Sequence, residues 1–259
     1  YKNPVIDIRV FKDRNFLFGT LISSFINVML YSTLLLVPMF VQSLLGYSPS
    51  MSGLTMFPRA VICFIGLLVV GEISKYVEAR LLAIIGLLMM GGSILMMTSM
   101  NLTSSMSSVI FPNILLCIGV PTAFVPITAL SFQTLPSKKN ADAAALHALF
   151  KNVVTAISTA MSATFIARVS QVHQNYLVGD LAHHNWMFRY KLLMLKSKFL
   201  IHYPEVLAMR KANGMLYREL LQQSRLASFY DVFALLALLC VIIIPLMIFL
   251  KIKRVRKAK

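Results

Sequence analysis

Six apolar segments, each long enough to cross a lipid bilayer, dominate this sequence. They cover residues 16–43, 53–71, 81–100, 109–134, 143–168 and 229–250. A helix needs about 20 mostly apolar residues to cross the hydrocarbon core of a membrane. We therefore predict an all-α polytopic membrane protein with six transmembrane helices.

The composition agrees with a membrane protein. Hydrophobic residues make up 58% of the chain and charged residues 13%, whereas about 25% of the residues of a soluble domain are charged. The three cysteines, Cys63, Cys117 and Cys240, lie inside apolar segments, which favours neither a disulfide nor a metal site. The net charge is +16, and the basic residues lie mostly in the loops between the apolar segments, in the long polar insert before the last segment and in the C-terminal tail. The sequence shows no basic–aromatic platform, so we expect that the protein does not bind nucleic acid.

Basic and neutral loops alternate along the chain, and this alternation predicts the orientation. Lysine and arginine occur in residues 1–15, 72–80 and 136–142 and in the tail, whereas residues 44–52 and 101–108 carry neither. Since cytoplasmic loops carry the excess of basic residues, we expect both ends in the cytoplasm of a multi-pass cell-membrane protein (the inner membrane in a Gram-negative bacterium). The sequence begins with Tyr1 rather than Met and shows no signal-peptide pattern. We therefore expect it to be a piece of a longer protein.

This orientation predicts four regions. Residues 1–15 are a cytoplasmic segment between spans, 16–170 are five transmembrane helices with short loops, 171–228 are a long extracytoplasmic insert, and 229–259 are the last transmembrane helix with a basic cytoplasmic tail. The part of the insert from Trp186 to Arg225 mixes aromatic, apolar and basic residues. It fits either a helix lying on the membrane surface or a solvated extension of the last span. The insert histidines match no metal-ligand spacing, so we expect no metal there: His173, His183, His184 and His202.

Polar residues follow one face of the first span. At about 100° per residue, six of them fall within about 60° of arc: Thr20, Ser24, Asn27, Tyr31, Pro38 and Gln42. Such a face either packs closely on a neighbouring helix or lines a cavity. The size of Tyr31 and Gln42 favours the cavity. The apolar remainder of the helix, which includes Leu36, is suited to lipid.

The fourth and fifth spans have similar polar faces. One carries Asn113, Cys117, Phe124, Thr128 and Ser131; the other carries His147, Lys151, Thr155, Ser158 and Ser162. Pro121 and Pro126 make the fourth span bendable. His147 is either a proton relay or a partnered structural histidine. We predict that the cavity is lined by Asn27, Tyr31, Gln42, Asn113, Phe124 and His147.

No carboxylate lies deep in any span of the sequence, and no nucleotide loop, HExxH or nucleophile elbow occurs. Proton-coupled pumping generally needs a buried acid or histidine. We therefore expect coupling to depend on His147 or on another part of a longer protein. We expect neither an enzyme nor a cofactor.

Several short motifs occur in order along the chain. They are residues 3–7 and 11–16, Pro38 with Gln42, Gly46-Tyr47-Ser48, Gly53-Leu54, Pro58-Arg59, Gly119 with Phe124 and Pro126, Leu135-Pro136, Lys151, Thr164 with Arg168, and Tyr230-Asp231-Val232-Phe233. Together they resemble the EmrB/QacA-type drug:proton antiporters of the major facilitator superfamily, and residues 3–7 and 11–16 resemble the entry to the second half of those proteins.

The resemblance implies the C-terminal half of a fourteen-span, proton-coupled multidrug or small-molecule efflux transporter that works by alternating access. Its expected partners are the lipid bilayer, the missing N-terminal half, hydrophobic or cationic small molecules and a periplasmic adaptor. Gating or structural roles are implied for Pro38, Arg59, Arg80, Pro126, Lys151 and Asp231, with Asp231 capping the last helix. The alternative is a non-transporting membrane scaffold or degenerate remnant, which is favoured by Lys75 at the family's usual aspartate position.

Overall fold

The computed structural model describes residues 8–136, 139–180 and 186–247, and its regular structure there is entirely helical. After a short 3-10 helix, Ile8–Lys12, seven α-helices follow: α1 Arg14–Ser43, α2 Pro49–Ile73, α3 Ala79–Met97, α4 Met106–Phe132, α5 Asn140–Asp180, α6 Trp186–Leu200 and α7 Glu205–Leu246. All of these except α6 are long and apolar enough to cross a membrane. The prediction of an all-α polytopic membrane protein with six spans is confirmed.

Some of the predicted features lie outside the described residues. They are the segment before residue 8, Lys138, His183, His184 and the basic tail.

Short polar residues set the first helix boundaries. The Asp13 carboxylate accepts a hydrogen bond from the Phe16 amide over 3.1 Å, as expected of an N-cap residue. Ser48 caps α2 in the same way, and Pro49 occupies its first turn, where no backbone N–H is needed. Between α1 and α2 the chain turns at Gly46, whose φ of +71° suits only glycine without strain.

Helices α5 and α7 extend far beyond the apolar segments that predicted them. Helix α5 continues past residue 168 to Asp180, and α7 begins at Glu205 rather than near residue 229. Residues 205–228 are therefore a helical extension of the last span. Helix α6 is separate from that extension. The extracytoplasmic location of the insert stays a prediction.

The prediction that Asp231 caps the last helix is wrong. Asp231 lies inside α7, far from the N-terminus of that helix at Glu205. Its Oδ2 instead lies 2.7 Å from His173 Nε2 on α5. The error arose because the apolar segment begins near Asp231 although the helix begins earlier.

The chain divides into two compact units. One contains residues 1–162 and 233–259, and the other contains residues 163–232. In the first unit α4 is the central helix, since it packs on α3, α2 and α1.

Helices α3 and α4 approach each other closely where they cross at two glycines. A Cβ atom on Gly86 would lie 2.7 Å from the Thr122 carbonyl carbon and 2.8 Å from the Gly119 oxygen. A Cβ atom on Gly119 would lie 2.9 Å from the Gly86 oxygen. Small residues that let two backbones touch are typical of helix contacts in membranes.

The expectation that the apolar side of α1 faces lipid is wrong for much of that side. Leu36, Val37 and Phe40 are all buried. The exposed apolar residues of α1 include Leu34 and Met39. Hydrocarbon and a neighbouring helix are equally apolar, so an apolar face does not by itself distinguish lipid from protein.

The second unit contains the end of α5, helix α6 and the beginning of α7. Small or apolar residues of α7 form much of the interior of this second unit, among them Ala208, Ala212, Leu216 and Leu220. Two ion pairs of 2.6 Å connect α6 to α7, Lys191 with Glu219 and Lys196 with Glu205. These contacts place one side of α6 against α7.

We predict that Gly86→Ala destabilises the protein, because the added methyl group meets backbone atoms that cannot move aside. Overpacking of this kind costs about 1–3 kcal/mol. The matched control is Gly92→Ala on the same helix, where an added Cβ would meet nothing within 4 Å. Thermal unfolding of the purified protein in detergent should show a lower midpoint for Gly86→Ala only. Equal midpoints for the two variants would contradict the observed crossing.

Candidate functional site

Arg59 is a buried cation inside the first unit. Its side chain is 4% exposed although it lies within the membrane-spanning helix α2. Its Nη1 donates a hydrogen bond to Asn113 Oδ1 on α4 over 3.1 Å. Its Nη2 donates to the Leu30 carbonyl over 3.1 Å and to Thr33 Oγ1 over 3.2 Å, both on α1. One guanidinium thus joins three helices.

The acceptors of Arg59 are themselves held in place. Asn113 donates its Nδ2 to the Val109 carbonyl over 2.8 Å, so its oxygen points to the guanidinium. The Thr33 hydroxyl lies 2.9 Å from the Met29 carbonyl and can give its proton there, which leaves its lone pairs for Arg59. Such second bonds orient an acceptor before the cation is placed against it.

All three acceptors of Arg59 are neutral. In the part of the chain that the structure describes, no carboxylate pairs with this guanidinium. Ionisable residues inside membranes are costly and usually mark a functional path or a specific partner. The structure shows that Arg59 connects α2 to both α1 and α4. Its gating role and the cavity role of Asn113 stay predictions.

A second polar contact connects α1 with α5. Ser162 donates to Ser32 over 2.8 Å, Ser32 and Ser158 are 2.9 Å apart, and Ser158 donates to the Val28 carbonyl over 3.2 Å. Each hydroxyl can therefore donate once in a chain that ends at a backbone carbonyl. The shared face of Ser158 and Ser162 was recognised from the sequence. Their partner Ser32 lies beside the predicted polar stripe and was missed.

His147 lies in an aromatic environment near the start of α5. It is 8% exposed, and its ring packs edge-on against Phe132 with centroids 5.8 Å apart. Phe132 also contacts Phe16 edge-on at 5.8 Å. The Nε2 atom of His147 has no hydrogen-bond partner among the described residues. Packing of the ring is thus explained, and a role as proton relay stays a prediction.

The polar stripe of α1 divides into a buried part and an open part. Thr20, Ser24 and Asn27 are buried, and the Asn27 amide donates to the Ser23 carbonyl over 2.7 Å. Tyr31 is only half-buried, and Gln42 is exposed and donates to Ser52 over 3.1 Å. The open part is the better candidate for contact with a substrate. The cavity assignment of all these residues stays a prediction.

The remaining predicted site residues lie on four different helices. Phe124 is half-buried and Pro126 is buried on α4. Pro38 on α1, Arg80 in the first turn of α3 and Lys151 on α5 are half-buried. Their expected roles stay predictions. Over the described ranges, no three His, Cys, Asp or Glu side chains are grouped so as to hold a metal ion.

We predict an energetic coupling between Arg59 and Asn113. Asn113→Leu leaves a buried guanidinium short of an acceptor, at a cost of about 2–3 kcal/mol. The double variant Arg59→Met/Asn113→Leu should lose less than the sum of its single changes, with a coupling of about 1–3 kcal/mol. Thermal unfolding of the purified chain in detergent measures all four states.

The control pair for this cycle is Arg59→Met with Ser93→Ala. Ser93 donates to the Pro112 carbonyl over 2.5 Å and is not among the described hydrogen-bond partners of Arg59. Those two changes should add within about 0.5 kcal/mol. A coupling for Arg59 with Ser93 as large as that with Asn113 would contradict the specific contact.

Comparison with known proteins places this helical bundle in a family. Residues 2–159 match the family model of the Major Facilitator Superfamily. The colistin resistance protein EmrB of Acinetobacter baumannii is 23% identical over 249 residues, which are 95% of this chain and 48% of that protein. The probable multidrug resistance protein EmrY of Escherichia coli K12 is 26% identical over 72% of this chain and 37% of its own length.

A third relative, the multidrug transporter protein MdtP of Bacillus subtilis, is 30% identical over 53% of this chain and 25% of its own length. The chain spans at most about half the length of these relatives. The family model covers more than half of this chain and begins near its first residue. The chain therefore belongs to the Major Facilitator Superfamily, among relatives of the EmrB type.

Proposed function

We propose that this chain is the C-terminal half of a proton-coupled efflux transporter for hydrophobic or cationic small molecules, working by alternating access. Membership of the superfamily indicates a membrane transporter rather than an enzyme. Two relatives are named for multidrug resistance or transport. A match to about half of the EmrB relative, together with the sequence resemblance to the second half of such proteins, supports the assignment to one half.

The observation that carries the proposal is the exposed side of α5, which includes polar residues. In the most apolar stretch of α5 only 17% of the residues are buried, the same share as in α2, against 61% in α4. Yet α5 presents exposed Asn152 and half-buried Lys151 among its apolar residues. Polar side chains in a span usually face another helix or a water-filled cavity. A second bundle covering α5 would supply such surroundings.

The distribution of charge supports a further half as the source of proton coupling. In α1 to α4 the described carboxylates are confined to helix ends and loops, as with Asp13, Glu72 and Glu78. Arg59 is the buried cation of these four described helices, and its three hydrogen-bond acceptors are neutral. The buried group that couples transport to proton movement would therefore be an acid of the N-terminal half, or else His147 of this chain.

The proposal also names a location and partners. It places both ends of the chain in the cytoplasm, in the cell membrane, since the basic loops alternate with neutral ones. Its protein partners are the N-terminal half of the same transporter and a periplasmic adaptor. A scaffold without transport remains the alternative, and the transport experiment distinguishes the two.

We predict that this chain alone does not transport. Facilitator-type sites form between two repeat bundles, and the six spans supply one. Proteoliposomes with the purified chain should show no proton-gradient-dependent uptake of a cationic dye such as ethidium. Reconstitution with an N-terminal half encoded directly upstream should produce uptake.

Two outcomes of that experiment would contradict the proposal. Uptake by the chain alone, abolished by His147→Ala, would indicate a homodimeric pump coupled through that histidine. Absence of uptake by the two halves together, with both correctly folded, would favour the scaffold. Thermal unfolding in detergent shows whether each preparation is folded.

We also predict that Tyr31→Ala changes which compounds are exported by the transporter containing both halves. Tyr31 is half-buried at the open end of the polar stripe, so its loss should alter substrate contacts more than stability. The matched control is Leu34→Ala on the same helix, since Leu34 is 46% exposed and apolar. Minimum inhibitory concentrations for a panel of cationic dyes measure the effect. An equal change for Leu34→Ala would argue against a cavity at Tyr31.

A further inference from the structure

Helix α6 has apolar side chains on two opposite sides. Its inner side consists of Phe188, Leu192, Leu195 and Phe199, which recur every three or four residues and are half-buried. At about 100° per residue, a second set lies on the opposite side. We call this second set the outer face of α6: Trp186, Tyr190, Leu193, Met194 and Leu200.

The outer face is uncovered. Trp186 is 70% exposed, Leu193 and Met194 are each 63% exposed, and Tyr190 is 57% exposed. Large apolar side chains gathered in one exposed strip mark an interaction surface. The inner side already packs within its own unit, so the outer face is not needed to hold α6 in place.

Basic residues border the outer face on both sides. By the same helical spacing, Arg189 and Lys196 lie along one border, and Lys191 and Lys198 lie along the other. Lys191 and Lys196 pair with glutamates of α7. Arg189 and Lys198 make no ion pair with any residue that the structure describes, and α6 itself contains no acidic residue.

We propose that the outer face of α6 docks on an anionic lipid surface. The exposed tryptophan, tyrosine, leucines and methionine enter the boundary between headgroups and acyl chains, and Arg189 and Lys198 contact lipid phosphates. Tryptophan and tyrosine are enriched at this depth because their rings are apolar and carry one polar atom. An apolar strip bordered by lysine and arginine is the pattern of helices that lie in the interface. This inference goes beyond the proposed transport activity and does not depend on it.

The charge pattern favours lipid over a second copy of the chain. Two outer faces brought together would place four basic borders side by side, and like charges at close range repel. Anionic headgroups instead supply the opposite charge along both borders. The second copy is therefore an outcome of the test rather than the proposal.

The chain contains its own probe of this contact, because Trp186 is its one tryptophan. The full chain is placed in nanodiscs of phosphatidylcholine alone or of phosphatidylcholine mixed equally with phosphatidylglycerol. With phosphatidylglycerol present, we expect Trp186 emission to move to shorter wavelength and the iodide quenching constant to fall several-fold. Lipids brominated near the headgroup should quench the emission more strongly than lipids brominated near the chain ends.

Charge variants separate docking from simple proximity to the bilayer. Arg189→Gln/Lys198→Gln should lose most of the dependence on phosphatidylglycerol, and high salt should do the same to the unaltered chain. The control is Arg210→Gln/Arg218→Gln, which removes two exposed charges from α7 in the same unit. That control should keep the dependence. All four substitutions are on exposed side chains, and unfolding midpoints check that the variants are folded.

Three results would overturn the proposal. In the first, Trp186 stays equally accessible to iodide in both lipid mixtures. In the second, its emission depends on the number of chains per nanodisc and not on the lipid, which would indicate a second copy. In the third, the two double variants show the same dependence on phosphatidylglycerol, which would mean that the basic borders of α6 have no specific role in lipid binding.

Discussion

A guanidinium withdrawn from water must find acceptors for its N–H groups, and Arg59 finds them on two other helices. This requirement fixes the position of α2 relative to α1 and α4, since a shift of either neighbour would leave a charged donor unpaired. Apolar contacts in a membrane do little to fix the orientation of one helix relative to another, because the lipid chains offer a similarly apolar surface. The directed bonds of Arg59, and the serine chain between α1 and α5, supply the orientation that apolar packing lacks.

The membrane class and the number of spans could be predicted from apolar run length, because crossing the hydrocarbon core imposes a length on every span. Helix length could not. The apolar part of α7 begins near residue 229, whereas the helix begins at Glu205. The length of an apolar run reports which part of a helix lies in the hydrocarbon core, and a helix can extend beyond that core at either end. The misplaced cap at Asp231 follows from treating these two boundaries as one.

Polar residues inside the spans could be recognised in the sequence, but their partners could not. The helical periodicity of the sequence placed Ser158 and Ser162 on one face of α5. It could not predict that their partner is Ser32, which lies 126 residues before Ser158 in the chain. An arginine within an apolar run was a signal that Arg59 has an interior partner. Leu36 shows the converse, since nothing in its helix indicates whether lipid or a neighbouring helix will cover it.

The glycine crossing of α3 and α4 has a consequence for motion. Where a methyl group would collide with the backbone of the partner helix, the two helices have no clearance for sliding past each other. Packed interiors transmit displacement rather than absorb it. Helices α3 and α4 should therefore move together as one rigid body. Under the proposed alternating access, the rocking motion would be accommodated at other helix contacts, such as the hydrogen bonds between α1 and α5, where one serine hydroxyl can replace another as partner.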